Sequence, residues 1–125
     1  MLRILVVDDN PTALNLLRAM LLPDQYKLLV ATSGSEAIGL AAREKPDVVL
    51  LDIMLMDASG YEVCRRLKAQ PETANIPVIM LISGSHPRLQ SWRAEHGVDD
   101  YLPRPFTPQQ LTDTIGKFAA FPATA

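Results

Sequence analysis

The sequence predicts an α/β fold in which helices cover both faces of a five-stranded parallel sheet. Five short, mostly apolar segments, the first of them rich in β-branched residues, alternate with five segments whose apolar residues recur at helical spacing. Strands that are apolar throughout are typical of parallel sheets, which are buried on both faces. Because crossover connections are right-handed, few topologies remain. For 125 residues we expect one doubly wound sheet with strand order 2-1-3-4-5.

The five predicted strands are the short apolar segments themselves, at residues 3–7, 27–31, 48–51, 77–81 and 101–102. Two of them run directly into acidic residues: Asp8 and Asp9 follow the first strand, and Asp52 follows the third. In open sheets of this class, ligands bind beyond the carboxyl ends of the strands. The predicted fold therefore also predicts where a functional site lies.

The first two predicted helices have start signals in the sequence. Asn10 is a candidate N-cap with Pro11 at the first helical position, and the helical spacing continues to about Leu22. Ser33 and Glu36 have the spacing of a capping box at the start of the second helix. Pro46 ends that helix.

The last three predicted helices differ in the strength of their patterns. The third carries Tyr61 to Leu67 and ends at Gln70. The fourth, at residues 88–95, has few large apolar anchors, Trp92 among them, and Trp92 is expected to serve packing or a partner surface. The fifth follows the capping-box segment Thr107-Pro108-Gln109-Gln110.

Composition indicates one globular domain. Hydrophobic residues make up 48% of the chain and the formal net charge is −2, which argues against a nucleic-acid or anionic-membrane surface. The N-terminus lacks the layout of a signal peptide, so we expect a cytoplasmic protein. We place the domain at residues 1–120 and a tail or linker at 121–125. Cys64 is the single cysteine and is expected to serve packing rather than redox chemistry.

Three carboxylates are expected to converge at the carboxyl edge of the sheet. The first and third strands are neighbours in the predicted order, so Asp8, Asp9 and Asp52 share one crevice. An Asp after a strand is often a helix cap or turn residue, and Asp8 or Asp9 taken alone is open to that interpretation. Three together repel one another, and Mg²⁺, which prefers hard oxygen ligands, is the simplest compensation. A carboxylate beside the metal can act as a nucleophile toward a phosphoryl group.

At this point the chain resembles the receiver domains of bacterial two-component response regulators, a flavodoxin-like family. The resemblance covers essentially the whole chain and rests on the order and spacing of several motifs together. These motifs are Val6-Val7-Asp8-Asp9-Asn10, Val48-Val49-Leu50-Leu51-Asp52-Ile53-Met54, Gly60-Tyr61-Glu62-Val63, Ile76-Pro77-Val78-Ile79-Met80 and Arg104-Pro105-Phe106-Thr107.

The resemblance implies specific roles for the site residues. Asp52 is the phospho-acceptor, which takes a phosphoryl group from a sensor histidine kinase or phosphotransfer protein. Asp9 and Asp52 bind Mg²⁺ directly, Asp8 acts largely through water, and the backbone carbonyl of Met54 is a further ligand. The Arg104-Pro105 peptide bond matches one that is cis in the family.

Two positions depart from the family pattern. Arg104 stands where the family has a Lys, which keeps the positive charge but replaces a compact ammonium by a wide planar fork. Ile82 stands where the family has a Thr or Ser that contacts the phosphoryl group. Ser83 is a candidate substitute hydroxyl, although it would need a bulge or bend in the strand. A smaller departure is Met56, where many receivers have Pro. Tyr101 corresponds to a rotating aromatic side chain, or else is a half-buried strand residue.

Three classes of function follow from these residues. The first is a phosphorylation switch that signals to an effector protein or domain through the predicted fourth helix, fifth strand and fifth helix, without catalysis beyond its own phosphorylation. It would be a monomer or weak homodimer. The second is a pseudo-receiver, an interaction module independent of phosphorylation, which Ile82 and Arg104 favour. The third, an electron carrier or phosphatase on the same fold, is disfavoured because the first strand ends in Asp8-Asp9-Asn10 rather than a phosphate-binding loop, and because Met54 replaces a second catalytic acid.

Overall fold

A five-stranded parallel sheet with order β2-β1-β3-β4-β5 forms the centre of the molecule, as predicted. In this computed structural model the described residues are 1–21, 23–53, 55, 57–83 and 97–119, with Ser83 described by its backbone. The strands are β1 (Leu2–Val7), β2 (Tyr26–Ala31), β3 (Val48–Asp52), β4 (Val78–Ser83) and β5 (Asp100–Arg104).

Four helices are present in the described part of the chain: α1 (Pro11–Met20), α2 (Gly34–Glu44), α3 (Gly60–Ala69) and α4 (Pro108–Gly116). The last of these is the predicted fifth helix. The predicted fourth helix at residues 88–95, with Trp92, lies outside the described residues, as do Leu22, Met54, Met56 and the predicted tail at 121–125. None of the helices in the described ranges is long and apolar enough to cross a membrane.

Strand alternation divides the core into two clusters, one on each face of the sheet. On β1, Leu5 and Val7 belong to the cluster that includes side chains of α2 and α3, whereas Ile4 and Val6 belong to the cluster that includes side chains of α1 and α4. Each buried aliphatic side chain of this size contributes about 1.5–3 kcal/mol. Together the two clusters fix the sheet between two helical layers. They also fix the direction in which the last residue of each strand points.

The helix starts largely follow the predicted capping chemistry. The Asn10 side chain accepts hydrogen bonds from the Thr12 and Ala13 amides at 2.9 and 3.2 Å. Thr107 and Gln110 form a complete capping box at the start of α4.

The capping box predicted at α2 is closed only on one side. The Ser33 hydroxyl accepts from the Glu36 amide at 3.1 Å, as predicted. The Glu36 carboxylate, however, accepts from the amide of Thr32 at 2.7 Å rather than from that of Ser33. The interaction therefore reaches one residue further back and fixes the end of the preceding loop.

Two element boundaries differ from the prediction for identifiable reasons. The first helix ends at Met20 rather than near Leu22, because Leu21 adopts an extended backbone and buries its side chain in the core. The fifth strand runs from Asp100 to Arg104 rather than over two residues. It tolerates Pro103 because β5 is the edge strand of the sheet, where a missing amide hydrogen is least costly.

Candidate metal centre

The carboxylates of Asp8, Asp9 and Asp52 come together at the carboxyl edge of the sheet. Val7 and Leu51 are paired across β1 and β3, so Asp8 and Asp52, which follow them, lie side by side at this edge. One oxygen from each carboxylate lies within 4.8 Å of the others. The convergence predicted from the strand order is therefore present in the structure.

Asp8 is the fully buried member of the cluster. Its Oδ1 atom accepts a hydrogen bond from the Asn10 amide at 2.9 Å, and its Oδ2 atom accepts one from Nη2 of Arg104 at 2.9 Å. A carboxylate removed from water requires such partners. Asp8 is thus held in one orientation by the turn that begins α1 and by the end of β5.

Arg104 spans two of the acids. Its Nη2 atom contacts Asp8, and its Nη1 atom lies 3.7 Å from Oδ1 of Asp52. A guanidinium reaches both because it presents its donors as a planar fork. With three ionised carboxylates and one guanidinium, the cluster keeps two formal negative charges. A metal was the simplest compensation expected from the sequence, and the structure shows that Arg104 supplies part of it.

The remaining charge and the donor set fit Mg²⁺. The three side chains offer hard oxygen atoms, and Mg²⁺ in proteins is usually held by one or two carboxylates together with waters and phosphate oxygens. The Asp52 side chain is 13% exposed and that of Asp8 is 1% exposed. Of these two carboxylates, that of Asp52 is therefore the more accessible from solvent. The ligand role expected of the Met54 carbonyl falls outside the described residues and stays a prediction.

Gly60 allows α3 to begin directly against the end of β3. A Cβ atom at this position would lie 2.5 Å from the carbonyl oxygen of Asp52 and 2.8 Å from Cα of Ile53. The Gly60 amide donates to the Ile53 carbonyl at 2.7 Å and closes the loop between β3 and α3. From the sequence, Gly60 was expected only as part of the motif Gly60-Tyr61-Glu62-Val63, without this role.

The end of β4 carries Ile82 rather than a hydroxyl, and the strand is regular there. Its register with β5 is unbroken from Ile79 to Ser83, which pairs with Arg104. The bulge or bend that would turn Ser83 toward the site is therefore not seen in the backbone pairing. The Ser83 side chain lies outside the described part, so its proposed hydroxyl role stays a prediction.

Ile82 and Tyr101 are both buried in the core cluster that covers the α2–α3 face. Tyr61, at the start of α3, packs against the same cluster. Burial raises the pKa of the Tyr61 phenol, and the nearby Tyr101 side chain acts in the opposite direction. Tyr101 is thus an inward-facing residue, 7% exposed, rather than a half-buried one.

Cys64 lies in the same cluster with no exposed surface. Burial raises the pKa of its thiol to about 11. A thiol in this state is protonated at neutral pH and is a poor nucleophile. This agrees with the packing role expected from the sequence.

The chain is similar to known receiver proteins over nearly its whole length. It is 38% identical to the protein PilH of Pseudomonas aeruginosa over 120 residues, which cover 96% of this chain and 99% of PilH. It is 37% identical to the response regulator PleD of Caulobacter vibrioides over 95% of this chain, but it spans 26% of PleD.

A solved structure of a receiver domain has the same fold. It comes from the sensor histidine kinase PA1611 of Pseudomonas aeruginosa, has a magnesium ion coordinated in its active site cleft, and is 30% identical to this chain. The two structures match with a TM-score of 0.81 over 94% of this chain and 96% of that domain. The family model for the response regulator receiver domain matches residues 4–116. The chain therefore belongs to the response regulator receiver domain family of two-component signalling.

Proposed function

We propose that this receiver domain is a phosphorylation switch in which Asp52 accepts a phosphoryl group from a histidine kinase or a phosphotransfer protein. The observation that carries the proposal is the convergence of three carboxylates and one guanidinium at the ends of β1, β3 and β5. The similarity to a receiver domain that holds magnesium in its cleft supports Mg²⁺ as the cofactor.

In the proposed reaction, a carboxylate oxygen of Asp52 attacks the phosphorus atom of a phosphohistidine. The new O–P bond forms as the P–N bond breaks, and the bond electrons leave with the imidazole nitrogen. Asp9 and Asp52 would hold Mg²⁺ directly, with Asp8 acting largely through water, and the bound ion would neutralise charge on the phosphoryl oxygens. Arg104 is close enough to Asp52 to donate hydrogen bonds to a phosphoryl group carried there.

The proposed signal passes to a downstream effector protein or domain through a surface made of the predicted helix at residues 88–95, β5 and α4. We propose that the protein acts in the cytoplasm as a monomer or weak homodimer. Its chemistry is limited to its own Asp52, so it is not an enzyme toward other substrates. The receiver unit is proposed to span residues 1–120. PleD shows that a matching segment occurs within a longer response regulator.

The second candidate is a pseudo-receiver, which keeps the fold as an interaction module while phosphate control is lost. The buried Ile82, which has no hydroxyl, is the observation that favours it. The acidic cluster with its guanidinium favours the phosphorylation switch. The two candidates make opposite predictions about acyl-phosphate formation at Asp52.

Mass spectrometry of the intact protein after incubation with acetyl phosphate separates these two functions. With Mg²⁺ present, we expect one phosphoryl group to be added to the wild type and none to Asp52→Asn. Omitting Mg²⁺ should suppress the modification. A wild type that stays unmodified with Mg²⁺, under conditions that phosphorylate another receiver domain, would rule out the switch in favour of the interaction module.

A further inference from the structure

Asp57 connects the loop that follows Asp52 to the start of α2. We define the acceptor loop as the described residues between β3 and α3, which are 53, 55 and 57–59. From this loop the Asp57 carboxylate accepts hydrogen bonds from the Gly34 amide at 2.8 Å and the Ser35 amide at 3.2 Å. The Ser35 hydroxyl contributes a longer contact of 3.4 Å. Both residues belong to the first turn of α2.

These contacts complete the capping of α2 from outside the helix. The first amides of a helix have no partners within it. The hydroxyl of Ser33, the N-cap, accepts a hydrogen bond from the Glu36 amide. The Asp57 carboxylate accepts hydrogen bonds from the two preceding amides, those of Gly34 and Ser35. A carboxylate at this end of a helix is also favoured by the helix dipole. The same hydrogen bonds, led by that of Gly34, lower the pKa of Asp57, so the carboxylate is charged at neutral pH.

Gly34 makes the close approach of α2 to the acceptor loop and to α3 possible. A Cβ atom there would lie 2.7 Å from Cγ2 of Val63 and 3.4 Å from Cβ of Ala58. The side-chain contact between Asp57 and α2 is therefore part of a tight three-way junction. The loop cannot move away from α2 without losing these hydrogen bonds.

The acceptor loop is fixed to the sheet at its other end. The Ile53 amide donates to the Leu81 carbonyl at 3.3 Å, and the Leu55 amide donates to the Ala58 carbonyl across a turn. The loop starts immediately after Asp52, so its freedom affects the acidic site. Ordering a loop on metal binding costs conformational entropy, and a loop that is already tethered loses less of it.

We propose that Asp57 is a positioning residue that holds the acceptor loop against α2 and thereby raises the Mg²⁺ affinity of the acidic site. The inference rests on the proposed function, because it concerns the same site. By linkage, Mg²⁺ binding must in turn strengthen the contact between the loop and α2. The first turn of α2 then responds to Mg²⁺ binding, although none of the proposed Mg²⁺ ligands lies on α2.

The test compares two neutral substitutions, Asp57→Asn and Asp57→Ala, by Mg²⁺ titration with isothermal calorimetry. Both remove the same negative charge, but Asn keeps a side-chain oxygen that accepts a hydrogen bond and Ala keeps none. Asp113→Ala, an exposed Asp on α4, is the matched control for charge. We expect Asp57→Ala to raise the Kd for Mg²⁺ by about threefold to tenfold, a range set by the loss of capping hydrogen bonds. Asp57→Asn should raise it less.

A second readout is the NMR response of the Gly34 and Ser35 amides to Mg²⁺. In the wild type and in Asp113→Ala, these resonances should shift during the Mg²⁺ titration with the same Kd as in calorimetry. In Asp57→Ala, the two resonances should not shift on Mg²⁺ binding. Equal Mg²⁺ affinity in Asp57→Ala and Asp57→Asn, or amides that respond in Asp57→Ala as in the wild type, would overturn the positioning role alone. A wild type that binds no Mg²⁺ would overturn both this role and the proposed function.

Discussion

At the scale of single residues, Arg104 stabilises the metal-free protein by neutralising a buried acid. Its guanidinium contacts the fully buried Asp8 and lies near Asp52. Removing one member of a buried ion pair costs about 3–5 kcal/mol, but the Arg104 side chain is 30% exposed. Solvent screening should therefore reduce that cost.

We predict that Arg104→Met lowers the free energy of unfolding by about 1–3 kcal/mol without Mg²⁺. Saturating Mg²⁺ should recover part of the loss, because a metal ion supplies positive charge to the same carboxylates. Urea titrations with and without Mg²⁺ measure both effects, with Arg66→Met, an exposed position on α3, as the control. A loss no larger than that of the control, and insensitive to Mg²⁺, would contradict the proposed neutralisation.

The acids could be located from the strand pattern and Arg104 was expected nearby from the family resemblance, but the contacts themselves were not predicted. Asp8, Asp9 and Asp52 could be predicted because each follows directly from an apolar strand, and adjacent parallel strands end at the same edge. The contact of Arg104 with Asp8 joins residues 96 positions apart, and that of Asp57 with Gly34 joins residues 23 positions apart. Such pairings depend on how the loops fold over the sheet. Local spacing does not encode them, and Asp57 was not singled out.

At the scale of secondary-structure elements, the placement of α3 depends on the absence of a side chain at Gly60. A Cβ atom there would collide with backbone atoms of Asp52 and Ile53, which cannot rotate away. Gly39, in the middle of α2, provides a contrast because a Cβ atom at that position meets nothing within 4 Å.

We predict opposite effects for the same substitution at these two glycines. Gly60→Ala should lower the free energy of unfolding by about 2–4 kcal/mol, as expected for overpacking against backbone. Gly39→Ala should raise it by about 0.5–1 kcal/mol, because Ala is the better helix former. Chemical denaturation of both variants checks the pair. A Gly60→Ala protein as stable as the wild type would show that α3 can move away from β3 without loss of stability.

Element boundaries were predictable where the signal is local and less so where tertiary packing decides. The caps of α1 and α4 follow from Asn10 and Thr107 and were confirmed. The length of β5 was underestimated, because Pro103 normally argues against a strand and its tolerance depends on the edge position in the sheet. That position is a property of the assembled sheet rather than of the segment.

At the scale of the whole molecule, the question is how phosphorylation at one edge of the sheet would reach the β5–α4 surface. The family pattern has a Thr or Ser where this chain has Ile82, and the aromatic position corresponds to Tyr101. Here both side chains are buried in one cluster, with Tyr61 packed against it. Tyr101 therefore faces inward in the structure.

We predict that phosphorylation of Asp52 changes the β5–α4 surface only weakly in the wild type. A ligand shifts a conformational equilibrium only through different interactions with the two states. Ile82 has no hydroxyl to hydrogen-bond a phosphoryl oxygen, and such a charge-assisted bond contributes about 1.5–3 kcal/mol. Ile82→Thr restores the hydroxyl, while Ile82→Val is the matched control because Val has nearly the shape of Thr without its oxygen.

The measurement is NMR of Tyr101 and of the β5 and α4 amides, with and without beryllium fluoride as a phosphoryl mimic. We expect a large response to the mimic in Ile82→Thr and small responses in the wild type and in Ile82→Val. Comparison with Ile82→Val separates the effect of the hydroxyl from the effect of lost core volume, because both substitutions remove aliphatic carbon from a buried site. A full rearrangement in the wild type, equal to that of Ile82→Thr, would contradict the prediction. Arg104 or the hydroxyl of Ser83 would then have to provide the coupling that Ile82 cannot.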